Sequence, residues 1–148
     1  MSHLKLKATT IEECDIISSL FQDSIFHVQC HSFDNDKGCF HLLLNRFCWE
    51  DLSNYEQDKC YYRANSGLYI HNVTDVKVNK SFKNNRHNYL TLLAIHASEN
   101  EINIMFSDNK HVCISVNGIL VYLQDLHEKY PTLTRPQHEC LSDCSVTL

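Results

Sequence analysis

Glycine and proline are scarce in this sequence, with three and two residues in 148. The shortage leaves no room for a glycine-rich phosphate cradle. Neither a P-loop nor a G-x-G-x-x-G turn occurs, and the G-x-S-x-G elbow and the H-E-x-x-H helix are also missing. No stretch approaches the roughly 20 uninterrupted apolar residues that a membrane span requires. The opening MSHLKLKATT lacks the apolar core of an export signal, so a cytoplasmic protein is expected. Excess positive charge is absent as well: 13 Lys and Arg stand against 18 Asp and Glu. Such a surface does not attract duplex nucleic acid, and only a local basic patch could do so.

Cysteine and asparagine, by contrast, are plentiful. Eight cysteines in a chain without an export signal read as reduced thiols that behave as small core hydrophobes. Thirteen asparagines beside so few glycines suggest an AT-rich coding bias, which makes unusual residues weaker evidence of function. The length fits one domain, expected over residues 1–138, followed by a flexible tail over 139–148.

Alternation in HLKLK predicts a short opening strand. Thr10 and Glu13 form a capping box ahead of Cys14, Ile17, Leu20 and Phe21, so a helix is expected over about 11–23. The segments FHVQCHSF and CFHLLLNRFCW, joined by Asn35-Asp36-Lys37-Gly38, read as an antiparallel hairpin. Phe40, Leu42 and Leu44 share one parity in its second strand, whereas Phe47 and Trp49 share the other. A β-bulge or bend near Asn45 and Arg46 would turn all five toward the core. Residues 50–59 are expected as a solvated loop, and YYRANSGLYI, VTDVKVNK, LTLLAIHA, INIMF and HVCISV as strands. Ile119, Leu120, Tyr122, Leu123 and Leu126 recur at helical spacing after Asn117, which predicts a second helix over about 118–130.

This order of elements suggests a β-rich α+β fold. The expected form is a pleckstrin-homology-like bent antiparallel barrel with an N-terminal helix and a C-terminal helix plugging one end. The alternative is an open antiparallel sheet with both helices on one face.

From Leu44 to Glu50, LNRFCWE resembles a small alphaproteobacterial family of cytosolic proteins known only as a domain of unknown function. The opening LKLKATTIEECDIISSLFQDSIFHV, the segments LTLLAI and LQDL, and Arg135-Pro136 with His138 fit the same pattern, so the resemblance covers about residues 3–138. It implies a bacterial origin and membership without a mechanism, since no catalytic residue, substrate or partner carries over. The chain departs from the family in its Cys and His load, above all in the closing ECLSDC.

Four constellations carry possible chemistry. His27, Cys30, His31, Cys39 and His41 on the hairpin are ligand types for zinc. In an extended strand, however, His27 and His31 share a face while Cys30 points to the other, so half-exposed histidines beside buried thiols are the plainer reading. His138, Cys140 and Cys144 in the tail could take up metal adventitiously or oxidise. Lys77, Lys80, Lys83, Arg86 and His87 could bind an anion, although charge runs usually serve as solvated loops. Finally, Trp49 reads as a core anchor with Arg46 paired to Glu50 or another carboxylate, unless a bulge turns Arg46 into a recognition groove. Together these features favour a non-enzymatic binding or adaptor module, without cofactor, for a protein, peptide or anionic ligand. A metal- or thiol-dependent protein and a small enzyme are the alternatives.

Overall fold

The computed structural model describes residues 3–82 and 88–136. Strand β1 (Lys5–Ala8) leads into helix α1 (Ile11–Phe21). Thr10, in extended conformation at φ −127°, accepts the Glu13 N–H at 3.1 Å through its hydroxyl. Glu13 reaches back one residue further than a simple capping box requires and accepts the Thr9 N–H at 2.8 Å. Cys14, Ile17 and Phe21 recur at three- and four-residue intervals and form the buried stripe of α1. Asp23, at φ 65°, then turns the chain into β2 (Ser24–Asp34).

The hairpin of β2 and β3 (Cys39–Phe47) turns through Gly38, whose φ is +62°. A Cβ there would stand 2.9 Å from the Val73 carbonyl oxygen, so glycine is required by conformation and by close approach together. A 3₁₀ segment (Trp49–Asn54) and the one-turn helix α2 (Tyr55–Asp58) occupy the expected acidic loop. There follow β4 (Tyr61–Ile70), β5 (Val73–Val78), β6 (Tyr89–Ala97), β7 (Glu101–Phe106), β8 (His111–Val116), β9 (Val121–Asp125) and β10 (Tyr130–Thr132).

The ten described strands form one antiparallel sheet in the order β1-β9-β4-β3-β2-β6-β7-β8-β5, with β10 added beside β4. Two paired bends curl it. Between β4 and β5 the chain turns at Asn72 (φ 58°), and between β8 and β9 at Gly118 (φ 98°). The bends lie against each other through His71 N–H to Leu120 O and Asn117 N–H to Asn72 O. The two long strands therefore bend together and stay paired on both sides of the corner. β1 and β5 remain as sheet edges, so the curled sheet does not close. Phe26, Leu42, Leu44, Leu68, Leu92, Ile104, Ile114 and Leu123 fill its concave side, and α1 packs over them. Phe26 stacks on Phe106 with ring centroids 5.0 Å apart, and Phe82 closes on both.

Two expectations are corrected here. The helix over 118–130 is absent: residues 121–125 form β9, in which Val121, Leu123 and Asp125 are buried and Tyr122 and Gln124 lie on the other face. Its apolar residues fit either period. The strand is favoured because β9 finds hydrogen-bonding partners on both edges, β1 on one and β4 on the other, which local periodicity cannot register. The barrel-plugging helix goes with it, and so does the second helix of the alternative, whose open antiparallel sheet is what the described strands form.

The bulge expected at Asn45 and Arg46 is also displaced. The β3–β4 ladder runs unbroken from Phe40↔Ile70 to Phe47↔Arg63. The irregularity belongs to β2, which takes five steps between Phe26 and His31 while β3 takes two between Leu44 and Leu42. Arg46 keeps the core parity of Phe40, Leu42 and Leu44. Phe47 is buried on the opposite face, where Trp49 lies 4.7 Å and Tyr61 5.6 Å away by ring centroids. The parity switch marks a strand end covered on both faces. The tail expected over 139–148 lies outside the described residues.

Candidate functional site

Arg46 extends from the core face of β3 and is 1 % exposed. Its ladder partner on β4 is Ala64, and two residues along β4 Ser66 pairs with Asp125 of β9. These small side chains leave the guanidinium room to cross β4. Arg46 Nε donates to Asp125 Oδ1 at 2.9 Å and Nη2 to Oδ2 at 2.9 Å. On its other side Nη1 and Nη2 donate to Glu50 Oε1 and Oε2 at 2.9 and 2.6 Å. One planar cation thus holds two carboxylates in double, charge-assisted hydrogen bonds.

The titration directions follow this geometry. Burial would lower the Arg46 pKa, but its hydrogen bonds to Asp125 and then to Glu50 outweigh that and raise it above its ordinary value. Burial pushes the Glu50 carboxyl up, but the Arg46 hydrogen bonds and charge outweigh it and hold Glu50 below its ordinary value. Cys48, beside them, is buried and pushed up to about 12, chiefly by desolvation. The ligand atoms of Cys48, Glu50 and Asp51 lie within 4.8 Å of one another. Glu50 is engaged by Arg46 and Asp51 accepts Lys129 Nζ at 2.6 Å, so two of the three ligands are already taken and this trio is a poor metal site.

Trp49 donates its indole N–H to Gln22 O at 2.9 Å and pins the 3₁₀ segment to the end of α1. The Arg135 guanidinium lies over its ring at 5.8 Å. Arg46 and Glu50 are therefore brought together, with Asp125 as the partner that sequence reading missed, while Trp49 packs on Phe47 on the other face. No local signal links Asp125 to a residue 79 positions earlier.

Beside this node lies a pocket of about 460 Å³ between β1 and the β9–β10 connection. Glu50, Asp51, Asp125 and Glu128 contribute carboxylates, with His3, His127, Lys5 and Lys129 among the other lining residues. The lining comes from three chain segments, residues 3–5, 50–51 and 125–129.

The remaining sequence candidates are dispersed. Lys77 is 79 % exposed and 4.0 Å from Asp75, and Lys80 is exposed. Lys83 and Arg86 lie outside the described residues, as do His138, Cys140 and Cys144. Sequence reading also passed over Lys110, which is buried and donates to Ser81 O at 3.0 Å with its ammonium over the Phe82 ring. His27 packs edge-on against Tyr89, and His31 packs on Phe26 and Phe82. The long β2 bulge separates this pair, which a regular strand would have placed on one face. His31 and His41 line a depression of about 280 Å³, and His41 Nε2 lies 2.9 Å from Cys39 Sγ.

No curated protein and no solved structure matches the chain. The sequence profile of one family matches residues 4–138, spanning the node, the pocket lining except His3 and all ten described strands. The chain therefore belongs to the family described as Protein of unknown function (DUF2948).

Proposed function

We propose that the protein is a non-enzymatic cytoplasmic binding module whose pocket receives a basic side chain of a protein or peptide. The observation that carries this reading is the pocket lined by Glu50, Asp51, Asp125 and Glu128, in which Arg46 and Lys129 engage the first three and Glu128 is left to meet an incoming cation. Arg46 holds two of these groups in place and keeps Glu50 ionised, so the wall is organised before a ligand arrives. Around the pocket, the described residues do not assemble a nucleophile with a base and an orienting partner, which favours recognition over catalysis. In this reading the curled sheet is a pleckstrin-homology-like framework without a closing helix, supported by its paired bends at Asn72 and Gly118.

The test is an NMR titration of isotope-labelled protein with two short peptides, one alternating Lys and Ser, the other Glu and Ser. The Lys peptide is expected to shift the amides of Asp51, His127 and Glu128, with affinity falling as salt is raised. An Asp51→Asn, Glu128→Gln double variant should lose that response. Equal responses to both peptides, or none at the pocket, would overturn the reading. An acidic peptide that moves β5 instead would transfer recognition to Lys77 and Lys80.

A further inference from the structure

Strand β5 ends the sheet, and among the described residues its outer edge pairs with no other strand. The direction of its backbone groups follows from its far end. Asn79 donates its N–H to His111 O, one step beyond the Val78↔Val112 pair, so the N–H and C=O groups of Lys77 and Asp75 also face β8. Those of Val76 and Val78, one residue out of phase, face outward and offer a template for a further strand. The side chains are as telling. Val76 and Val78 continue the apolar layer of the buried Ile114 and Val112, their ladder partners, up to the open edge, where Val78 is 39 % exposed. Asp75 and Lys77 project from the opposite face and are exposed, with their charged ends 4.0 Å apart.

We propose that β5 is a self-association edge, joining two copies of this chain as an antiparallel dimer about a two-fold axis at Val76. That axis sets Asp75 opposite the partner's Lys77 and Lys77 opposite the partner's Asp75, so one strand supplies both halves of two ion pairs. Val76 and its counterpart exchange two backbone hydrogen bonds. The charged pairs then fall at the positions without such bonds, where opposed side chains stand closest. The charges also select this alignment. Sliding one copy by two residues sets Asp75 against Asp75, or Lys77 against Lys77, and like charges directly opposite destabilise a sheet. A slip of one residue joins the core face of one copy to the outer face of the other. A lone lysine on an edge strand usually deters pairing, but here an aspartate two residues away cancels it in a second copy. Only the six residues of β5 and their close neighbours take part, against about 20–30 a side in a stable interface, so the dimer is reversible and concentration-dependent.

Sedimentation equilibrium of reduced, tag-free, full-length protein, followed up to about 1 mM, tests this. The wild-type mass should rise from monomer toward dimer with concentration. Asp75→Lys and Lys77→Asp each convert both ion pairs into like-charge pairs, and each should weaken association by about tenfold or more. Mixed in equal amounts, the two variants restore opposite charges at both pairs and should associate about as tightly as wild type. Both positions are exposed, 55 % for Asp75 and 79 % for Lys77, so far-ultraviolet circular dichroism should be unchanged in each variant. A general charge effect gives a different pattern: Asp75→Lys reduces the net negative charge and would then associate more tightly. A wild-type protein monomeric throughout, a single variant that associates as well as wild type, or a mixture no tighter than its components would overturn the proposal.

Discussion

Replacing Asp125 with Asn tests whether the Arg46 node holds the fold together. Asp125 is 8 % exposed in its side chain and Arg46 1 %, so the variant leaves a buried guanidinium without one of its two counterions. Breaking a buried ion pair from one side costs about 3–5 kcal/mol. Glu50 still holds two of the guanidinium N–H groups, which points to the lower end, about 3 kcal/mol. Glu50→Gln should cost less, about 1 kcal/mol, because Glu50 is 35 % exposed and solvent screens its charge. A chain of this length is stabilised by about 7–20 kcal/mol in total, so the Asn variant removes a sizeable share. Urea denaturation should show a lower midpoint at an unchanged slope, and thermal unfolding a melting point lower by about 6–12 °C. The double variant Arg46→Met, Asp125→Leu should recover much of the loss, because it removes the buried charges together. A loss below about 1 kcal/mol for Asp125→Asn, or an Asn variant more stable than Glu50→Gln, would refute the argument.

The acid limb of stability provides a second check. Glu50 titrates below its ordinary value of 4.5 in the folded protein, so the unfolded chain binds its proton first as pH falls. The stability from this group is thus complete above 4.5 and lost as pH drops through the lower folded value, and Glu50→Gln should flatten that part of a stability-versus-pH curve. Gly38→Ala should destabilise by about 2 kcal/mol, since a side chain there meets both the strained φ and the Val73 carbonyl; an unchanged urea midpoint would contradict the turn described.

Much of the framework was legible because its signals are local. Thr10 and Glu13 announced the start of α1, Asn35 to Gly38 the first hairpin, and alternation in INIMF and HVCISV the strands β7 and β8. The errors fall where a residue's role depends on a distant partner. Residues 119–126 carry an apolar pattern compatible with a helix, and 121–125 became strand only because β1 and β4 offered hydrogen bonds on both sides. Phe47 broke the parity of β3 because aromatics from the following segment cover the other face.

The sequence by itself determined a β-rich chain with one capped helix, and it marked Arg46, Trp49 and Glu50 as one constellation, with Arg46 expected to pair with Glu50 or another carboxylate. Only the tertiary structure decided that Asp125 completes the arginine node, that β5 is left as a sheet edge, and that the sheet curls without closing. The physical reason is the same in each case. Strand pairing joins segments through backbone hydrogen bonds that any residue except proline can donate, so the register that brings such side chains together is set by the whole sheet and has no local signature.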